Sequence, residues 1–230
     1  MMESTNFKIE LNRILDVLCS EIYDSPFALL RENVQNAYDA ILMRKQKEPS
    51  FNNGQIRINI SANIMSIEDN GIGMDENSLS TNYWTAGSSG KNNEDAKKAG
   101  VVGTFGIGAM ANFGVCSELE VITRAWGADV TITSNVKKEE LSLSEKSITM
   151  NDSINQRGDF GTTINATLNS DLLISIDDAE RYIYPYVQYL SIPVYLNGGL
   201  ISQKDYQISN TEKNVTNKSG HYHSQNMDFN

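Results

Sequence analysis

Ser25–Lys45, SPFALLRENVQNAYDAILMRK, is the stretch on which the rest of the chain is organised. Ser25 followed by Pro26 reads as an N-cap and a proline at the first helical position. At about 100° per residue, Phe27, Leu30, Val34, Ala37 and Ile41 share one side of the resulting helix, a core face. Glu32, Asn36 and Asp39 fall within an arc of roughly 60° on the opposite side. Two readings of that polar edge compete. Charged residues are mostly solvated, so it is a wet surface on the plain reading. Three details favour a site. Asn is disfavoured inside helices because its side chain competes for backbone groups. No basic residue lies at i+4 from Glu32 to pair with it. Ala37 and Ala40 leave room for something to lie close. A carboxylate, an amide and a second carboxylate so arranged suit a metal-bound phosphate and a polarised water.

The chain has 230 residues, 40% hydrophobic and 21% charged, an ordinary globular composition. No apolar run approaches the roughly 20 residues of a membrane span, and the start, MMESTNFKIE, is not a signal peptide. Cys19 and Cys116 lie in apolar contexts and read as buried thiols, with the cytoplasm as the default compartment. The net charge of −10 argues against a nucleic-acid footprint, which needs clustered Lys and Arg. It does not argue against a nucleotide, whose site is local and whose metal brings positive charge.

Residues 9–22 carry leucines and isoleucines at helical spacing and read as a packing helix. QIRINI at 55–60 alternates as a half-buried strand, and IMSIE at 64–68 is a second. The second runs into Asp69-Asn70-Gly71-Ile72-Gly73-Met74, where a carboxylate closes a strand and two glycines follow. Such glycines let a ligand approach the backbone, and Asp69 is placed to accept a hydrogen bond from an exocyclic amine. The plain alternative is an Asx-type turn with no ligand. Residues 75–100 are polar and rich in Gly, Ser and Asn, a mobile cover whose first half Tyr83 and Trp84 pin. Ser88-Ser89-Gly90-Lys91 is not a phosphate loop of the G-x-x-x-x-G-K type, and Lys91 either reaches a phosphate or is solvated. GVVGTFGIG at 100–108 enters a helix start, whose backbone N–H groups suit phosphate.

From 117 onward the chain alternates in strands: ELEVITRA, DVTITSN, EELSLSEKSITM and, after a loop at 156–160, GTTINATL at 161–168. Thr162 is either a routine strand threonine or a hydroxyl offered to a ligand. Ser175 caps a helix over AERYIYPYVQYL that Pro185 kinks. SIPVYLNGGLIS is a strand pair about Asn197-Gly198, and the polar stretch from about 204 reads as flexible.

RENVQNAYDA, EDNGIGM, GTFGIGA and GTTI stand in a fixed order that resembles the GHKL ATPase superfamily of gyrases, heat-shock chaperones, histidine kinases and MutL proteins. Over roughly residues 5–198 the chain is most similar to the nucleotide-binding domain of the heat-shock protein 90 chaperones. The resemblance implies a Bergerat-type α/β fold: a two-layer sandwich of a mixed, mostly antiparallel sheet covered on one face by helices. It implies an ATP-binding domain over 1–200 and a polar tail, or the start of a linker to further domains, over 201–230. It implies a Mg2+-dependent ATPase whose lid closes over ATP. By position, Glu32 matches the residue that activates water and Asn36 the magnesium ligand. Asp39 matches the supporting acid, Asp69 the adenine-binding aspartate, and Gly73 and Met74 the adenine pocket. Gly103, Phe105, Gly106, Ile107 and Gly108 match the loop over the phosphates, Lys91 an element of the lid, and Thr162 the threonine beneath the aspartate. ATP and ADP are the implied ligands, with homodimerisation through ATP-dependent contacts. Asn33 and Gln35 depart from the chaperone pattern, as do Tyr38 and Asn70, which marks an outlying relative. A catalytic Arg or Lys from a following domain has no counterpart after residue 200, so weak turnover is expected of this chain alone. The alternatives are a nucleotide-gated interaction module with negligible turnover, or a MutL-like or kinase-like ATP module.

Overall fold

Alternation decides the sheet. In β1 (Ile56–Ile60) Ile56, Ile58 and Ile60 are buried and Arg57 and Asn59 exposed, the period of two that a one-sided sheet demands. The computed structural model describes residues 27–61, 63–85, 109, 112–142, 145–154, 157–170, 172 and 174–205. In them β1 is joined by β2 (Ile64–Asp69), β3 (Cys116–Arg124), β4 (Val130–Lys137), β5 (Thr149–Ile154), β6 (Gly161–Leu168), β7 (Val194–Leu196) and β8 (Gly199–Leu200). The eight form one sheet in the order β5-β4-β3-β6-β2-β1-β7-β8. Every described pairing is antiparallel except β1 with β7. Two helices, α1 (Ala28–Lys47) and α2 (Ile176–Val187), cover one face. The mixed two-layer α/β sandwich expected from the sequence is thus the observed fold.

The core lies between the layers. Leu30, Val34, Ala37 and Ile41 of α1, with Ala179, Ile183 and Val187 of α2, meet Ile56, Ile58, Met65, Ile67, Leu119 and Ala166 of the sheet. Each large apolar side chain so buried contributes about 1.5–3 kcal/mol. Phe27 is half-buried against this core, its ring 5.5 Å from that of Tyr182. The other sheet face is polar and tied across strands, Asn135 to Glu118 at 2.8 Å and Asn165 to Glu120 at 2.8 Å.

The ends of elements follow their local chemistry. Ser175 caps α2, its Oγ accepting from the Asp178 N–H at 3.1 Å. Asn197 and Gly198, at φ 45° and 85°, make the two-residue turn between β7 and β8. Beyond β8 the chain stays packed: Ser202 Oγ accepts from Val194 N and donates to Ile192 O, each at 2.8 Å. One expectation changes. Residues 139–142 of EELSLSEKSITM are not strand; a short 3-10 turn spans Lys138–Glu140, and pairing with β4 begins only at Thr149. The helix over 9–22, the Ser25-Pro26 cap, Lys91, the GTFGIG loop (Gly103, Phe105, Gly106, Ile107 and Gly108) and the tail beyond 205 lie outside the described residues.

Helix α1 is buried on more than its apolar side. Asn33 is 1% exposed, and its Nδ2 donates to Oδ1 of Asn112 at 2.7 Å, while Asn112 Nδ2 reaches Ala109 O at 3.3 Å. Asn112→Ala removes the acceptor that holds Asn33 and should cost about 1–3 kcal/mol, read as a lower denaturation midpoint. In a double-mutant cycle with Asn33→Leu, the two losses should fall short of additivity by more than about 0.5 kcal/mol. Strict additivity would mean that this amide pair adds nothing to stability.

Candidate functional site

The seam between α1 and the Asp69–Met74 segment is closed by backbone. Ile72 N donates to Ala40 O at 2.9 Å, and a Cβ on Gly71 would lie 2.5 Å from the Ala40 carbonyl carbon. The far side of the segment is fastened to the end of β3. Met74 N donates to Thr123 Oγ1 at 2.8 Å and Trp126 N to Ile72 O at 2.7 Å. Gly73 sits at φ 63°, and a Cβ there would come within 2.0 Å of Arg124 O. The glycines predicted to admit a ligand are therefore required first by the protein's own backbone. The Met74 side chain packs with Leu79, Val121 and Ile132 in a second apolar cluster that Tyr83 and Trp84 join. These aromatics pin the start of the 75–100 segment as anticipated, and fully buried Leu79 is a further anchor that its polar composition concealed.

Asp69 is 6% exposed at the end of β2. Its Oδ1 accepts from Gly71 N at 2.7 Å and Thr162 N at 3.3 Å. Its Oδ2 receives no hydrogen bond from the described residues. Burial raises the carboxyl to about 7, against the lowering effect of those two N–H groups and of Arg157. An acid held by one oxygen, with no donor to the other among the described residues, suits a ligand that brings one. Thr162 serves this acid through its backbone; its hydroxyl lies 3.1 Å from that of Thr123.

On α1, Asp39 is 1% exposed and accepts from Gln35 Nε2 at 2.9 Å. Glu32 and Asn36 are half-buried, and the Glu32 carboxylate has Arg31 at 3.4 Å. The wet-surface reading of this edge thus fails at Asp39 and holds only partly at the other two. Asp39 precedes Ala40, the residue that bonds the Asp69–Met74 segment, so edge and segment meet at adjoining positions. Among the described residues no cluster of three or more His, Cys, Asp or Glu could hold a metal. An ion here would need the Asn36 amide oxygen together with ligand oxygens.

Four residues support the site in roles that no sequence pattern signals. Thr123 gave no signal, being one strand threonine among several. Arg157 lies in a short polar loop. Asn70 accepts from Gln55 N and donates to Asn53 O, each at 2.8 Å, which fixes the loop before β1. Arg44 continues the 37, 41 apolar stripe although it is charged. Its guanidinium donates to Asn70 O at 2.7 Å and stacks 4.0 Å from the Phe51 ring.

The sequence profile described as histidine kinase-, DNA gyrase B-, and HSP90-like ATPase matches residues 23–162. Chaperone protein HtpG of Vesicomyosocius okutanii is 27% identical over 229 residues, covering 92% of this chain and 36% of the relative. HtpG of Clostridium perfringens is 36% identical over 142 residues, 56% of this chain and 23% of the relative. HtpG of Campylobacter jejuni is 29% identical over 206 residues, 83% and 32% respectively. The chain spans about a third or less of the length of these relatives. No helix among the described residues is long and apolar enough to cross a membrane. With its profile match running from the approach to α1 through Thr162, the chain belongs to the histidine kinase-, DNA gyrase B- and HSP90-like ATPase family, and the likeness to HtpG sets it on the HSP90-like side of that family.

Proposed function

We propose that this chain is a heat-shock protein 90-like ATP-binding domain that hydrolyses Mg-ATP weakly by itself and transmits the nucleotide state to a longer protein. The observation that carries this reading is the buried Asp69 carboxylate, held at Oδ1 by two backbone N–H groups and without a donor at Oδ2 among the described residues. In that state it accepts the exocyclic amine of adenine, a charge-assisted bond of about 1.5–3 kcal/mol. Gly73, Met74 and Thr162 border the base. Asn36 would hold the magnesium ion, which when bound neutralises phosphate charge. Glu32 takes a proton from the attacking water, and Asp39 orders the helix edge beside them. Lys91 and the Gly103–Gly108 stretch belong to this reading by sequence alone. So do a domain boundary near residue 200, a cytoplasmic location and ATP-dependent homodimerisation.

Titration calorimetry with Mg-ATP and Mg-ADP is the direct test. The wild-type chain should bind both, Asp69→Asn neither, and Glu32→Ala both with wild-type affinity. Phosphate release by Glu32→Ala should fall by about 10²–10⁴-fold relative to wild type in the full-length protein. Normal turnover in that variant would remove Glu32 from the chemistry, and full binding by Asp69→Asn would remove the adenine assignment.

Asp69 also leaves a mark on stability. Its carboxyl is raised in the folded chain, to about 7 from 3.8. The folded state therefore binds the extra proton between those values. Its contribution is fully present below the lower value and lost as pH rises through the upper one. Asp69→Asn should abolish that component while keeping both backbone bonds through its amide oxygen. The difference in thermal midpoint, variant minus wild type, should grow from pH 4 and level off above about pH 7. A flat difference would contradict the buried-acid description.

A further inference from the structure

Register between β2 and β6 runs from Ile64↔Thr167 to Glu68↔Thr163 and stops there. One step on, Thr162 turns its N–H to the Asp69 side chain, and the Asp69 carbonyl takes a hydrogen bond from the Arg157 guanidinium instead. Gly161, at φ 118°, runs close beneath that carbonyl; a Cβ there would lie 2.2 Å from Asp69 O. The strand pair is thus opened at the acid, and Arg157 closes the gap.

Arg157 is built into this position. It is 8% exposed. Its Nη1 donates to Thr163 Oγ1, and its Nε donates to Asp159 O at 3.1 Å, which folds the 157–160 loop on itself. Its own N–H donates to Thr131 Oγ1 at 3.3 Å, and its carbonyl accepts from Arg124 Nη1 at 3.2 Å. Its Nη2 lies 3.6 Å from the Glu68 carboxylate. A planar fork of donors satisfies such divergent acceptors where an ammonium does not. Two charges act on the Asp69 carboxylate: Arg157 favours its ionised form and Glu68 opposes it. The remaining charges nearby are engaged elsewhere. Arg44 of α1 bonds Asn70 O and sits 3.5 Å from Asp159, and Arg124 of β3 bonds Ala128 O at 2.8 Å. Asp39 accepts from Gln35.

We propose that Arg157 is a positioning residue for nucleotide recognition, clamping the open end of β2 so that the Asp69 carboxylate meets the amine of a purine base as an acceptor. The inference rests on the nucleotide reading given above. It assigns Arg157 no contact with the nucleotide.

The test is a pair of pH profiles on the full chain. One is the Asp69 carboxyl titration without nucleotide, followed by NMR with carbon-13 aspartate. The other is ADP affinity from pH 5.5 to 8.5; ADP avoids turnover, and its own phosphate titration is common to every variant. Arg157→Gln keeps donors but loses the charge, and both midpoints should move up by about one pH unit or more. Arg157→Lys keeps the charge and should stay nearer wild type. Glu68→Gln removes the opposing charge from a part-exposed side chain and should move both midpoints down, which keeps the test alive if Arg157→Gln does not fold. Unmoved midpoints in the folded variants, with ordinary ADP binding by wild type, would overturn the Arg157 assignment alone. No ADP binding by wild type at any pH would overturn the nucleotide reading, and the assignment with it.

Discussion

A carboxylate taken out of water is the constraint around which this chain is arranged. The effective penalty for burying one ionised group is several kcal/mol, so it must be met by fixed donors. At Asp69 those donors are two backbone N–H groups, with a guanidinium on the carbonyl of the same residue. Each imposes a geometry. For Gly71 N to reach Oδ1 the chain must turn at once after β2, and that turn presses it flush against Ala40 of α1. For Thr162 N to reach the same oxygen, β6 must begin with a residue able to hold φ 118° beneath the Asp69 carbonyl. The glycine spacing of DNGIGM and the glycine before Thr162 are thus consequences of where the acid sits.

Helix α1 answers a second demand, because it is enclosed on both sides. A helix with one wet face shows its polarity as a stripe. Here Asn33, Asp39 and Arg44 are all buried, and each bonds a different neighbour. Polar groups so placed fix register and orientation more narrowly than apolar contacts do, since an amide or guanidinium displaced from its acceptor is left unpaired. The edge that carries Glu32 and Asn36 is thus held in place by buried polar contacts as well as by the apolar stripe.

That explains which parts were legible in the sequence. β1, β2, β3, β4 and β6 followed from alternation because one sheet face is dry and the other polar, and α2 followed from its cap. Asp69 was legible because a carboxylate closing a strand before two glycines has few structural uses. Residues 139–142 misled because alternation alone does not say whether a partner strand is in reach, and β4 finds its described partner only from Thr149. Arg157 and Thr123 were invisible for another reason. Their importance lies in what they touch across the sheet, and no local period or spacing encodes a contact between a loop and a strand end. Arg44 is hidden by its charge, although the 37, 41, 44 spacing is that of a buried side.

A buried acid poised near neutrality is also a burden on the folded state, and this makes stability and recognition two aspects of one design. Above its midpoint the ionised Asp69 lacks a donor at Oδ2 among the described residues and weighs against folding. A ligand that supplies that donor binds only the folded chain and relieves the deficit in the same step. By linkage, whatever is gained there appears both as affinity and as resistance to unfolding. Mutating the acid to an amide would ease the burden and remove the reason to bind, a trade between stability and activity seen where sites are kept short of their most stable state. Arg157 sits between these outcomes. It offsets part of the burial penalty on the ionised acid while bonding the carbonyl of Asp69 rather than its carboxylate.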